Sequence, residues 1–312
     1  MVSSDAKLHL GFSIGICAYN ERVGVSLLLS FLSAQRFRYN LRQVFVVSTC
    51  SRDGTDEAVE SYAKRGAVKL YRETERKGKY TCVNTLINEA RLSKSDILVL
   101  IPADVVPYRD AVDSILDCFS NPDVGCVSGH PIPQNVSGFT EHIGDLLWEL
   151  HHETFATMSR KGLTHATGEL MAFRPNLVPP LSADTVIDDT YIANSIVRAH
   201  YRILYAPEAK VAIWVPRNLR DFWIQRLRNI GGHRMLRGKG FSTQEIATLP
   251  MRFRLGIIIR VARRRIELLP YLPVLIFIEA MLHLRARFVI QPTAWRMVSS
   301  AKPDARAFRR ND

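Results

Sequence analysis

Ile97-Leu98-Val99-Leu100-Ile101 is an unbroken apolar run, too short for a helix, and it predicts a strand buried on both faces. It continues into Pro102-Ala103-Asp104, and Pro107 closes the segment soon after. One carboxylate, Asp104, is thereby delivered to the end of a core strand. In open α/β sheets ligands bind at the carboxyl ends of strands, so Asp104 stands where a metal or phosphate ligand belongs. Taken alone, it also reads as a turn Asp following a core strand.

The rest of the N-terminal half repeats the pattern. Phe12–Cys17 predicts a first buried strand that runs into Ala18-Tyr19-Asn20-Glu21, and Val23–Ala34 has helical apolar spacing. Val44–Val47 is a second strand of β-branched and aromatic residues, ending in the polar turn Ser48–Thr55. A helix through Ala58, Val59 and Tyr62 and a short strand Val68–Tyr71 follow. Arg76-Lys77-Gly78-Lys79 then leads into a helix, Tyr80–Arg91. Beyond Asp104 come a helix Ala111–Phe119 and a strand Val124–Ser128. Strands alternating with helices are the βαβ pattern of an α/β fold with a mostly parallel sheet.

With 312 residues, the chain fits one large α/β domain plus an appendage better than two equal domains. Its five cysteines are odd in number and scattered, with no C-x-x-C pair and no His at finger spacing. That pattern predicts reduced, mostly buried thiols and argues against structural zinc. Met1–Lys7 is polar, so no signal peptide is read there. Two nucleotide-binding schemes are excluded. No G-x-G-x-x-G follows the first strand, and Gly78-Lys79 lacks both the upstream Gly and the downstream Ser/Thr of a P-loop. A nucleotide on this sheet would be held by carboxylates, a metal and basic side chains.

Ala18-Tyr19-Asn20-Glu21, Ser51-Arg52-Asp53-Gly54-Thr55, Lys77-Gly78-Lys79 with Asn84, the Asp104 strand, Thr167-Gly168-Glu169-Leu170, Asp188-Asp189 and Gln225-Arg226-Leu227-Arg228 occur in one order along the chain. The series resembles glycosyltransferase family 2, the nucleotide-sugar-dependent inverting enzymes of the GT-A fold, over about residues 10 to 235. Within it the chain is similar to lipid-linked-sugar enzymes such as polyprenyl-phosphate or lipid-linked-oligosaccharide mannosyltransferases.

The resemblance implies roles residue by residue. Asp104 matches the second acid of the family's D-x-D and would bind Mg²⁺ or Mn²⁺, hard ions suited to oxygen donors; the first acidic position is Pro102. Ala18, Tyr19, Asn20 and Glu21 match the base and ribose end of the donor site. Asp53 is the one acid left in a turn where the family often has paired Asp and this chain has Ser48-Thr49. Lys79, at a loop-to-helix junction, and Arg228, with Gln225 one turn before it, would hold the diphosphate, Arg by its bidentate fork. Gly168 and Glu169 would line the acceptor side. Asp188-Asp189 matches the family's Glu-Asp, whose second member is the general base. An N-cap role explains one of the two equally well, and with a lipid-phosphate acceptor Asp189 would only orient. Asn229 stands where processive relatives carry a stacking Trp, which points to a single transfer.

The net charge of +12 is uneven: residues 217–312 hold 20 Lys/Arg against 6 Asp/Glu, and residues 1–216 hold 22 against 24. Phe253–Arg265 mixes bulky apolar residues with arginines, as an interfacial helix does. Leu268–Leu284 is apolar but spans only 17 residues, interrupted by Pro270, Pro273 and Glu279. A full membrane crossing wants ~20 apolar residues. Basic residues on both flanks would place both on the cytoplasmic side. The expectation is a catalytic domain over 1–240 (donor binding about 10–130, acceptor side about 130–240). A basic helical region, 241–312, would lie on or re-enter an anionic membrane at its cytoplasmic face. A soluble helical hairpin on the catalytic domain is the plainer alternative. Nucleic acid is not expected, since no binding motif is present.

The resulting expectation is a metal-dependent inverting transferase moving one sugar, GDP-mannose first, from a nucleotide diphosphate to a lipid-linked acceptor. The alternatives are a sugar nucleotidyltransferase, which Ala18–Glu21 disfavours because it is not a Gly-rich, Arg-containing loop, and a degenerate non-catalytic GT-A module binding glycan or lipid.

Overall fold

The computed structural model describes residues 10–64, 66, 68–159, 162–163, 165–243, 249–289 and 298–303. Parts of the basic third (244–248, 290–297 and 304–312) therefore lie outside the described residues. Eight strands form one sheet. In chain order they are β1 Gly11–Ala18, β2 Asn40–Thr49, β3 Val68–Glu73, β4 Ile97–Pro102, β5 Val106–Pro107, β6 Val124–Pro133, β7 Met171–Phe173 and β8 Arg202–Ile213. The spatial order is β3-β2-β1-β4-β7-β6-β8-β5. β1, β2, β3 and β4 pair in parallel, as do β6 and β8. β7 runs antiparallel between β4 and β6, and β5 antiparallel to β8. The fold is the mixed, mostly parallel GT-A sheet flanked by helices.

The apolar run of β4 is continuous because the sheet is covered on both sides. Ile97, Val99 and Ile101 join one core with Phe12, Ile14 and Ile16. Leu98 and Leu100 join the other with Phe45 and Val47. Helices α1 Arg22–Ala34 and α4 Ala111–Asp117 cover the first face. Helices α3 Lys79–Leu92 and α6 Asp188–Arg198 cover the second, while α2 Thr55–Ala63 follows β2. The expected strand at Val124–Ser128 extends to Pro133 because β8, whose mixed pattern gave no clear strand signal, lies beside it along its whole length.

Helices α5 Phe139–Met158, α7 Leu219–Gly238, α8 Met251–Arg264 and α9 Leu272–Arg285 build a third core. Ile143, Leu146 and Leu150 of α5 meet Phe222 and Ile230 of α7, Ile257 and Val261 of α8, and Leu275, Ile278 and Leu282 of α9. The basic helices are thus continuous with the catalytic part through α5 and α7. Arg226 on α7 holds Glu279 on α9 through two hydrogen bonds, 2.7 and 2.9 Å, so the charge that interrupts the apolar stretch is neutralised in place. The helical stretch Ile266–Arg285 spans 20 residues with mean hydropathy 1.6, long and apolar enough to cross a membrane by length and composition.

Candidate active site

The ends of β1, β2 and β4 are tied into one rim. Asn20, in the left-handed region at φ 51°, accepts from Arg52 N–H at 2.8 Å and donates its own N–H to Ser51 Oγ at 3.1 Å. Asp53 accepts from the Arg22 and Thr55 backbones, both at 3.1 Å, and from the Thr55 hydroxyl. Although burial opposes them, these bonds, the Thr55 hydroxyl first, hold its carboxyl below the usual range. The Asp53 carboxylate is therefore engaged in shaping the loop that carries Asn20 and Glu21. The Tyr19 ring lies under the Arg76 guanidinium, 3.8 Å to its centroid.

Asp104 follows β4 on a turn fixed by Ala103 N–H to Cys17 O (3.3 Å) and Val105 N–H to Pro102 O (3.2 Å). Helix α1 approaches that turn at Gly24, where a Cβ would meet the Ala103 carbonyl oxygen at 2.5 Å. Only glycine fits there without moving Asp104.

Across the cleft, α3 begins at Lys79 and α6 at Asp188. Lys79 Nζ lies 2.9 Å from Asp188 Oδ2, an ion pair whose orientation is not that of an aligned hydrogen bond. Burial alone would lower the Lys79 pKa; the carboxylates, Asp188 first, outweigh it and hold the ammonium above its ordinary value. Asp189 Oδ1 accepts from the Thr190 backbone and hydroxyl. That hydroxyl also contacts His165 Nδ1 at 2.9 Å and His233 Nδ1 at 3.4 Å, a positioning network with no signature in the local sequence. Burial, then the neighbouring Asp188 charge, pushes Asp189 up to about 7 against the pull of Lys79. Gly168 lets the 167–170 loop approach, since a Cβ there would sit 3.2 Å from Asp189 Oδ2. Burial, then Asp189, pushes Glu169 up to about 8.

Arg228 completes the group from α7, with Gln225 one turn earlier. Burial draws its guanidinium down to about 10, and Glu169, Asp188, Asp104 and Asp189 resist that fall. Arg228 thus stays cationic at neutral pH and feels four carboxylates at once. Lys79 acts on Asp104 and on Asp189 alike. The carboxylates at 104 and 189 therefore share one electrostatic environment, and Lys79 and Arg228 both belong to it.

Lys302 lies outside every motif read from the sequence, yet the structure brings it to this rim. Its ammonium pairs with Glu21 Oε1 at 3.1 Å and donates to the Asn20 carbonyl. Ser300 anchors the segment by donating to Asp221 Oδ2 at 2.6 Å. No local signal marks a lone Lys 282 residues away from its partner in the chain.

Residues 13–178, more than half of the chain, match the family described as Glycosyl transferase family 2. The chain belongs to this family. Residues 97–298 also match Glycosyl transferase family group 2. This family 2 member is a glycosyltransferase. Among solved structures it is similar to the mannosyltransferase PcManGT from Pyrobaculum calidifontis in complex with GDP-Man and Mn²⁺. That match has a TM-score of 0.58 and 24% identity, over 91% of this chain and 77% of that one, and it shows a shared fold. More distant are GalNAc-T7 with UDP, GalNAc and Mn²⁺ (TM-score 0.48, 15% identity, 65% of this chain and 43% of that) and S. aureus TarS (TM-score 0.49, 16% identity, 71% and 39%). No curated protein sequence matches the chain.

Proposed function

We propose that this family 2 glycosyltransferase moves one sugar, with inversion, from a nucleotide-diphosphate sugar to a lipid-linked acceptor at the cytoplasmic membrane face. One observation supports the reading: Lys79 is ion-paired with Asp188, and both Lys79 and Arg228 act electrostatically on Asp104. Two cations beside a strand-end carboxylate suit a diphosphate leaving group, whose developing charge they stabilise. Asp189, held by Thr190, would take the proton of an acceptor hydroxyl on the opposite face. Glu169, on the loop beside Asp189, would hydrogen-bond hydroxyls of the acceptor.

Among the described residues no group of three or more His, Cys, Asp or Glu forms a metal cage. A single strand-end carboxylate suits an ion that takes its remaining oxygens from substrate phosphates and water, as Mg²⁺ does. Asp104 would hold that Mg²⁺ or Mn²⁺, and the ion would supply Lewis-acid stabilisation of the departing diphosphate. GDP-mannose is the first donor proposed, the nucleotide sugar bound to PcManGT, and a UDP-sugar the second. The C-terminal helices would hold the enzyme on an anionic membrane, with Ile276, Phe277, Met281 and Leu284 of α9 exposed to meet lipid.

The test measures nucleoside diphosphate release from a donor panel, with and without Mn²⁺, in the presence of a polyprenyl phosphate or lipid-linked glycan. Metal-dependent release of GDP with mannose appearing on the lipid is expected. Pyrophosphate release from a nucleoside triphosphate and a sugar phosphate would replace this reading with a nucleotidyltransferase. A fold that no nucleoside diphosphate stabilises would leave a binding module.

A further inference from the structure

A groove of about 600 Å³ opens between β6, β8, α5 and α8, and shares no residue with the donor site. Its walls carry four cations, Lys210, Arg260, Arg263 and Arg264, and two imidazoles, His130 and His152. His130 and Lys210 are register partners on adjacent strands, so the sheet projects both from the same face. Two carboxylates face them. Glu153 is taken up by Arg260 Nε at 2.8 Å and Arg264 Nη1 at 2.9 Å, while Glu208 lies exposed at the rim.

Burial, then the neighbouring His152, pulls His130 down to about 4, and burial lowers His152 as well, so the imidazoles add no positive charge. His130 and His152 stack at 4.0 Å between centroids. Arg264 Nη1 donates to His152 Nε2 at 3.3 Å, which leaves His152 Nδ1 as the protonated nitrogen, donating to the Tyr205 hydroxyl at 2.7 Å. The groove therefore carries an excess of two positive charges over its two carboxylates, with neutral rings at its floor. Lys210 and Arg263 are both exposed and make no salt bridge among the described residues.

The helix that supplies three of these arginines is also apolar toward solvent. Leu255 and Ile259 on α8, and Ile266 just beyond it, are 52%, 51% and 72% exposed. Leu255 and Ile259 fall on successive turns together with Arg263, and Ile266 follows the C-cap residue Arg265. A cationic groove bordered by an exposed apolar stripe matches a ligand with an anionic head and a hydrocarbon tail.

We propose that this groove is a headgroup site for an anionic phospholipid. The lipid phosphate lies among Lys210, Arg263 and Arg264, and the acyl chains lie along Leu255, Ile259 and Ile266. The proposal deepens, and rests on, the reading that the C-terminal helices sit on a membrane. It adds a defined contact that would fix how the catalytic face is oriented there.

The full chain is sedimented with vesicles of phosphatidylcholine alone and of phosphatidylcholine mixed with phosphatidylglycerol. The wild type should bind the mixed vesicles and bind the neutral ones much less. Lys210→Glu with Arg263→Glu should weaken binding to the mixed vesicles at least about tenfold, because each cation near an anionic surface contributes measurably to attachment. The milder Lys210→Gln with Arg263→Gln gives the same direction if the double reversal unfolds. Arg36→Glu with Arg109→Glu, an equal charge change at exposed sites outside the groove, should leave binding within about twofold of the wild type. Equal losses for the groove and control variants would overturn the site and leave only diffuse attraction. If both groove variants bind as the wild type does while Leu255→Glu with Ile259→Glu releases the protein, the membrane reading stands and the headgroup site falls. A wild type that binds neither vesicle removes both. Glycerol 3-phosphate is the soluble arm: if it raises Tm through Lys210 and Arg263 while vesicle binding ignores them, the groove serves a soluble anion and the lipid assignment is overturned.

Discussion

Lys79 Nζ and Asp188 Oδ2 lie 2.9 Å apart at the facing ends of α3 and α6, with the Asp188 side chain only 6% exposed. Around them stand Asp104, Glu169 and Asp189, and Arg228 is the other cation facing this group from α7. The cluster is short of positive charge, so its members are unequal in what their loss would do. Lys79→Met leaves a largely buried carboxylate without its partner, which costs on the order of 3 kcal/mol. Chemical denaturation should show that loss, and nucleoside diphosphate affinity should fall with it. Unchanged stability would mean that solvent already screens the pair.

Asp189→Asn acts in the opposite direction on the fold. It removes one of two adjacent like charges without changing shape, so Tm should hold or rise. Turnover with a hydroxyl acceptor should fall by roughly 10²–10⁴, the usual contribution of a positioned base. Nucleoside diphosphate affinity, measured by calorimetry, should stay within about twofold, because Lys79, Asp104 and Arg228 remain in place. A loss of turnover below about tenfold would leave Asp189 an orienting role only.

The same pair sets a pH dependence. Burial and the Asp188 charge push Asp189 up to about 7, and the base must be ionised to accept a proton. Activity at limiting donor and acceptor should therefore fall as pH drops through 7 and level off above it. Asp188→Asn removes the like charge and leaves Lys79 to act on Asp189 alone. Both changes favour the carboxylate, so the acid limb should move to lower pH. A limb that stays in place would assign it to another group.

Much of this was legible in the chain because the chemistry is local to strand ends. The β4 run ending at Asp104, the loop after β1 and the Asp188-Asp189 helix start each announce themselves within ten residues, and in the fold Lys79 acts on both Asp104 and Asp189. The antiparallel β7 did not: Met171–Phe173 is three residues long, below what alternation can resolve. The role of Asp53 was hidden because its partners, Arg22 and Thr55, depend on the meeting of two loops. Gly24 and Gly232 were equally silent. A Cβ at Gly232 would clash with the Ile187 side chain, one residue before Asp188, a constraint visible only once α7 packs against the residue that precedes α6. Glu279 reads in sequence as a break in an apolar stretch, whereas in the fold it is the partner of Arg226.

The contact between Lys302 and Glu21 yields the remaining prediction. Glu21 and Asp104 are like charges on one rim; burial first, and Asp104 next, push Glu21 up to about 7 against the pull of Lys302. The ammonium also acts on Asp104, so it supplies part of the positive charge that a divalent cation would bring there. Two cations meeting the same carboxylates compete. Lys302→Ala should therefore tighten Mn²⁺ binding to the donor-free enzyme, by roughly fivefold for a coupling of ~1 kcal/mol. Calorimetric titration with Mn²⁺ reads this without any turnover. Ser300→Ala, which loosens the anchor to Asp221, should give part of the same gain. Mn²⁺ affinity that is the same in all three proteins would show that Lys302 only staples the loop, and that the ion meets Asp104 without displacing it.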